Sequence, residues 1–484
     1  MRCVQTPQSN CRFGIASADV TPPVGIYHRM WGAAVHDQAT GVHRPLTATV
    51  LWMQALESSD DGASFQVLVA LDHCWLWAEE MQDLISSVSA ATDVARDRLA
   101  VVFSHTHAAG LMGAERASMP GGDLIAPYLQ QIQERVVSLI CDAQETAVTA
   151  TIVYGHGHCS LGAHRDFWDE QLQGFVCGYN PAGLADDTVV VARVTDEKGK
   201  NLASIVNYAC HPTTLAWDNT LISPDYPGAM RETVEAETGA PCVFIQGALA
   251  DIGPVNGFVE DVDVADRNGR QLAYAALETL TALPPAGTKF EYAGPVESGA
   301  RIGAWSHVPL ASDEQRLRTV WNRQRAEVPL ALRDDLPPQE QLQAELAHWQ
   351  SQEKAARNAA DHPQARHARA QAERRQRALR HIAEQSQVTH VRYPLTLWRM
   401  GDAIWLTVGG EPYNILQRHL RQRFPGVPII VAALAGGCSV GYLPPEDLYG
   451  KGIYQELIAA VAPGSLEQVI DELEVRIKKM LDDV

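Results

Sequence analysis

Several apolar runs in this chain end in side chains that can bind a metal or move a proton. Leu99 to Phe103 runs into His105 and His107, Ala203 to Ala209 into His211, and Cys242 to Ile245, through Gly247, into Asp251. Ile404 to Val408 runs into Glu411, and Ile429 to Leu434, through Gly436 and Gly437, into Tyr442. Residues i and i+2 of an extended chain point to the same side, so the spacing predicts that both imidazoles of Ser104-His105-Thr106-His107 face one pocket. A single H-x-H is equally the polar end of a strand. His211 and Glu411 at equivalent positions add the nitrogen and carboxylate donors that a catalytic zinc takes, with one position left open for water. Gly155-His156-Gly157-His158 has the same spacing but no matching carboxylate downstream, and reads as a surface or edge strand. His73, after Leu68 to Asp72, reads as a core or supporting histidine.

The elements that must carry these groups alternate between apolar strands, Gly/Pro turns and amphipathic helices, so the expected class is α/β. In such a fold the carboxyl ends of strands gather residues distant in sequence into one crevice. The expectation is a mixed, twisted sheet core with helical layers and an inserted helical hairpin. Residues 1–305 would form the first part of the core, 306–390 the insertion and 391–484 the second part. Between Ser312 and Gln385 the composition turns to Ala, Gln, Glu and Arg, Leu342, Leu346 and Trp349 share a helical face, and prolines 337, 338 and 363 sit where helices begin. Its arginines (Arg366, Arg369, Arg374, Arg375, Arg377, Arg380) are interleaved with acids and read as a solvated face, and the insert's histidines as exposed. Ser465 to Leu481 has the pattern of a closing amphipathic helix.

The 484 residues are 46% apolar, enough for a full core, and 58 acidic against 39 basic side chains give a formal charge of -19. That charge excludes nucleic acid and stable membrane association as partners, and favours a small, neutral or partly apolar ligand. Neither a signal-peptide apolar region nor eighteen uninterrupted apolar residues occurs, and the nine cysteines are scattered singly, so a cytoplasmic location is expected. The glycine-rich pieces lack both phosphate-cradling spacings. Whether the chain forms a homo-oligomer is left open.

Six segments together make the chain similar to the catalytic domain of the neutral (non-lysosomal) ceramidase family, including its shorter bacterial relatives. They are Gly14-Ile15-Ala16-Ser17-Ala18-Asp19-Val20-Thr21-Pro22-Pro23, Ser104-His105-Thr106-His107, Asn207-Tyr208-Ala209-Cys210-His211-Pro212-Thr213, Leu221-Ile222-Ser223-Pro224-Asp225-Tyr226-Pro227-Gly228, Gly410-Glu411-Pro412 and Gly441-Tyr442-Leu443-Pro444. The resemblance implies a Zn2+ ion held by His105, His211, Glu411 and Tyr442. It also implies that His107 stands beside the activated water and that Arg165 faces the developing oxyanion. The chain departs from the family at Asp251-Ile252-Gly253-Pro254, where ceramidases carry a serine in place of Gly253. It also ends soon after Tyr442, so no room is expected for the C-terminal β-sandwich of full-length ceramidases.

The function expected is therefore a zinc-dependent hydrolase that uses metal-activated water to cleave a linear amide, with ceramide itself disfavoured as substrate. His107, Arg165 and Asp251 form the expected catalytic set. Asp251 and Asp225 are carboxylates that could orient a ligand histidine or the substrate, or simply stabilise turns. Trp31, Trp168 and Trp217 could line the pocket or pack. An esterase or lactonase with the same apparatus, and an inactive metal-bound binding protein, are the alternatives.

Overall fold

A computed structural model describes residues 3–57, 64–385, 388–437 and 440–483. Period-two burial sorts the strands into two facing sheets. An eight-stranded mixed sheet runs, from edge to edge, through Cys242–Gln246, Asn201–Tyr208, Thr188–Asp196, Val148–His158, Gln8–Asp19, Thr47–Gln54, Phe65–Leu71 and Leu99–Phe103. Its two outermost pairs are parallel and the interior pairs antiparallel. A four-stranded sheet of Trp321–Ala331, His390–Met400, Ala403–Val408 and Ile429–Ala432 lies against it.

The alternation is visible residue by residue. Val190, Ala192 and Val194 point between the sheets, where they join Phe13, Leu51, Trp398 and Trp405, while Val189 and Val191 point outward onto helices. Helices Ala78–Ala91 and Ile125–Glu145 cover one part of the outer face of the larger sheet, and Tyr226–Thr238 and Val262–Ala282 cover another. Ile415–Arg423 and Ser465–Asp482 cover the smaller sheet through Leu416, Leu420, Val469 and Leu473. The class is α/β, as expected, in four layers: helix, sheet, sheet, helix.

The stretch expected to be helical from Ser312 departs from that reading. Trp321–Ala331 is an edge strand paired antiparallel along its length with His390–Met400. Val328 and Leu330 are buried while Arg325, Glu327 and Pro329 are exposed, a period of two rather than 3.6. Its proline is tolerated because an edge strand has one unpaired side. The boundary expected at 305/306 falls inside the strand Arg301–Pro309, and that at 390/391 inside His390–Met400. Two long helices, Gln339–Asn358 and His362–Gln385, begin at the prolines as expected and pack on each other.

Of the second helix's arginines, Arg366 and Arg374 are exposed as expected, but others are not a solvated face. Arg369 pairs with Asp37 and Glu373, Arg380 with Glu79, Glu80 and Glu115, and Glu373 with the buried Arg116. Long side chains reach carboxylates hundreds of residues away, which helical periodicity within the insert cannot register. The result clamps this helix to the core beside Tyr27, whose hydroxyl accepts a hydrogen bond from Arg116 at 2.7 Å.

Trp398 and Trp405 stack between the sheets with ring centroids 5.8 Å apart, both fully buried. Replacing Trp405 by Ala should cost about 3–5 kcal/mol of stability through lost burial and the cavity left behind. Denaturant unfolding checks this, and a loss below about 1 kcal/mol would show that the sheets do not pack through this pair.

Candidate metal centre and its pocket

Two edge strands of the larger sheet are brought together by one loop of the smaller one. The amide of Ala433 donates to the carbonyl of Gln246 at 2.9 Å, and that of Gly436 to the carbonyl of Val101 at 3.1 Å. The carboxyl ends of Cys242–Gln246 and Leu99–Phe103 thus meet at the carboxyl end of Ile429–Ala432. Three of the sequence-expected residues, His105, His211 and Glu411, converge there.

His105 does not reach the site by strand geometry. The strand stops at Phe103, and His105 adopts φ +69°, a left-handed conformation costing a non-glycine residue about 1–3 kcal/mol. Two bonds hold it: its amide donates to the His73 carbonyl at 2.9 Å, and Nδ1 lies 2.9 Å from the Cys74 carbonyl. His105 and His107 still share a pocket, with ring centroids 4.9 Å apart, but through a turn rather than the expected i, i+2 alternation.

His211 follows the strand Asn201–Tyr208. Its Nδ1 lies 2.8 Å from the carbonyl of Leu249 and 2.9 Å from that of Ile252. Glu411 follows Ala403–Val408 through Gly410, at φ +58°, where an added Cβ would stand 2.5 Å from the Gly441 carbonyl oxygen. That close approach lets Glu411–Pro412 pair in parallel with Tyr442–Leu443.

The electrostatics follow from these partners. A carbonyl can only accept, so Nδ1 carries the proton in both His105 and His211. In the neutral ring this leaves the Nε2 lone pair facing inward. Burial pushes the pKa of His211 down to about 3, which keeps that ring neutral. Burial alone would raise the Glu411 carboxyl; positive charge beside it, carried by His105 and His211 or supplied by a bound cation, holds it well below the usual carboxylate range. Glu411 Oε2 sits 2.8 Å from His211 Nε2 and 3.3 Å from His105 Nε2. Three electron-pair donors therefore lie within 4.8 Å of one another, all buried, around one ionised carboxylate. This donor set fits a divalent cation of the zinc type, since the histidine protons are committed to main-chain carbonyls outside the centre.

Around the cluster, His107 Nε2 is 3.4 Å from His105 Nε2, and its ring leans on Trp31 with centroids 5.1 Å apart. Burial, then the proximity of His105 and His211, holds His107 well below its ordinary pKa. Arg165 is buried and donates to the Tyr442 hydroxyl at 3.2 Å, with its Nε lacking a hydrogen-bond partner. Burial works against the charge of Arg165, and Cys177, Tyr442 and Glu411 maintain it. Burial, followed by Glu411, raises the Tyr442 phenol well above its usual range, so it keeps its proton.

Other expected residues land elsewhere. Asp251 does not touch a ligand histidine; its carboxylate accepts from the Asn414 amide at 2.6 Å and stands 3.7 Å from His164. The main-chain carbonyls of Leu249 and Ile252, on either side of it, orient His211 instead. Asp225 accepts from the amides of Leu215 and Tyr226 and begins the helix Tyr226–Thr238, so the turn-stabilising reading describes it. Trp31 and Trp217 pack edge to face beside His107, whereas Trp168 is exposed and packs on Phe175. Residues 155–158 pair on one side only, and His158 is exposed against Asp187. His73 is buried against the Tyr128 hydroxyl at 2.6 Å.

Sequence reasoning passed over Cys74 and Trp75, although they also follow a strand, Phe65–Leu71. Cys74 Sγ lies 3.4 Å from His105 Nδ1, and Trp75 stacks near the same ring. It also passed over His381, expected to be exposed. This residue is half-buried, its ring edge-on to Trp77, and desolvation pushes its pKa down to about 4.

Two solved structures superpose on nearly the whole chain. One is described as neutral ceramidase from Pseudomonas aeruginosa, with TM-score 0.61 and 14% identity over 98% of this chain and 74% of that one. The other is a ceramidase complexed with C2, with TM-score 0.62 and 15% identity over 97% of this chain and 74% of that one. The chain has the neutral ceramidase fold. No protein-family model and no curated protein matches the sequence. Within this ceramidase fold, a Cβ added at Gly253 would meet only the Arg165 side chain, at 3.8 Å, so the site has room for a larger residue.

The buried Asp225 has its pKa raised to about 6 by desolvation, above the roughly 3.9 of an unfolded chain. A raised carboxylate pKa contributes stability below about pH 4 that is lost as pH rises to about 6. Asp225→Asn removes this loss, so its stability relative to the parent should improve across that window while its metal content is unchanged. Chemical denaturation at several pH values checks it. A pH-independent difference would contradict the assignment.

Proposed function

We propose that the protein is a zinc-dependent hydrolase that cleaves a linear amide of a small molecule at a C-N bond. The observation that carries this reading is the convergence of His105 Nε2, His211 Nε2 and a Glu411 carboxylate oxygen, with both Nδ1 protons given to backbone carbonyls. His105, His211 and Glu411 would hold the ion, with Tyr442 beside them in the strand paired to Glu411. A zinc ion bound there supplies Lewis acidity and a water acidified toward neutrality.

The chain's own groups supply the rest. His107, kept neutral by burial, is a proton acceptor within reach of the cluster and can return that proton to the leaving amine. Arg165, held charged against the Tyr442 hydroxyl and with Nε free of partners, can offset negative charge developing on the carbonyl oxygen. Trp31, Trp75 and Trp217 exclude water from this side. Gly253 supplies no hydroxyl, so nothing in the reading depends on a serine nucleophile. No described helix is long and apolar enough to cross a membrane.

The test is hydrolysis of N-acyl amides by the purified protein, with the corresponding esters as comparison. Turnover should disappear on chelation and return with zinc, and His107→Ala should lower kcat about 10²–10⁴-fold while keeping its metal. Turnover indifferent to chelation, or an unchanged kcat in His107→Ala, would contradict the mechanism.

A further inference from the structure

The cavity that reaches His107, Glu411 and Tyr442 encloses about 280 Å³, and one wall is the inserted helix His362–Gln385. That helix turns Ala370, Arg374, Arg377, Ala378 and His381 to the cavity, positions spaced 4, 3, 1 and 3 residues apart and so on one helical face. The two alanines leave room beside the arginines. Arg369, Arg375 and Arg380 of the same helix pair with Glu373, Glu345 and Glu80, whereas Arg374 and Arg377 make no ion pair within 4.0 Å among the described residues, their nearest charge partners Glu345 and Glu373 acting at longer range. Glu373, which also lines the cavity, is already engaged by Arg116 and Arg369.

Arg377 is half-buried, donates one terminal nitrogen to the Met30 carbonyl, and leaves its Nε buried without a partner. His381 Nδ1 is likewise buried and unpartnered. A buried guanidinium N–H without a partner is unusual, and that of Arg377 belongs to a residue that lines the cavity. Much of the remaining lining is apolar: Met30, Trp75, Leu336, Pro337, Leu457 and Ile458.

We propose that this helix forms an anion subsite and that the substrate is an amide bearing a carboxylate, an N-acyl amino acid being the simplest member of the class. The guanidinium forks of Arg374 and Arg377 match a carboxylate, and the apolar walls accept the acyl chain. The inference rests on the amide-hydrolase reading of the metal centre and adds the substrate class to it. It revises the neutral ligand favoured by the overall charge: the surface is acidic, and this cavity is lined by two arginines that make no direct ion pair, beside Glu373 and Glu411.

The experiment compares N-dodecanoylglycine with its neutral counterpart N-dodecanoylglycinamide on the zinc-loaded protein. The expected kcat/KM ratio favours the carboxylate at least 30-fold. Arg377→Gln, and separately the exposed Arg374→Gln, should each lower that ratio at least fivefold, mainly through KM. A parent ratio near one, or in favour of the neutral amide, overturns the subsite while leaving the hydrolase reading intact. If neither compound is turned over, the hydrolase reading fails, and calorimetric titration of the same two compounds decides the subsite. Tenfold tighter binding of the carboxylate, lost in Arg377→Gln, supports it, and equal binding overturns it.

Discussion

The fate of two imidazole protons organises this molecule. Each Nδ1–H of His105 and His211 is given to a main-chain carbonyl, so both Nε2 lone pairs turn toward a carboxylate that burial would otherwise neutralise. Such an arrangement is unfavourable by itself: acceptors face acceptors in a medium of low polarity, with no proton between them. A bound cation relieves it. Much of the surrounding fold can be understood as holding this cluster together until one binds.

The means are specific. A left-handed His105 stores backbone strain at the end of one edge strand, and the loop after Ile429–Ala432 joins that strand to the opposite edge of the sheet. Glycine at 410 lets Glu411 lie against the Tyr442 strand. Arg165 then ties Tyr442 into the same buried network. None of these devices is contiguous in sequence, and each fixes a donor from a different element. The two packed sheets supply the rigidity that such positioning needs.

The strand ends were legible in the sequence because buried strands leave continuous apolar runs, and His105, His211 and Glu411 each stand just beyond one. What periodicity could not show is how the ends meet. His105 turns inward by a positive φ, and His211 is oriented by the carbonyls of Leu249 and Ile252, which any side chain there could present. That is why Asp251 stood out in the sequence while its neighbours' backbones do the orienting. The insert was misread for a related reason. Trp321–Ala331 shares the Arg-rich and Glu-rich composition of the helices after it but alternates with a period of two. Arg369 and Arg380 look solvated until their distant carboxylates are brought beside them.

The central claim is that His105, His211 and Glu411 form one cation site, and metal stoichiometry after purification under zinc-replete conditions tests it most directly. The account predicts one zinc per chain in the parent and its loss in Glu411→Gln and in His211→Ala, with both variants still folded by circular dichroism. A parent that takes up no stoichiometric metal, or folded variants that retain the parent's zinc, would contradict it.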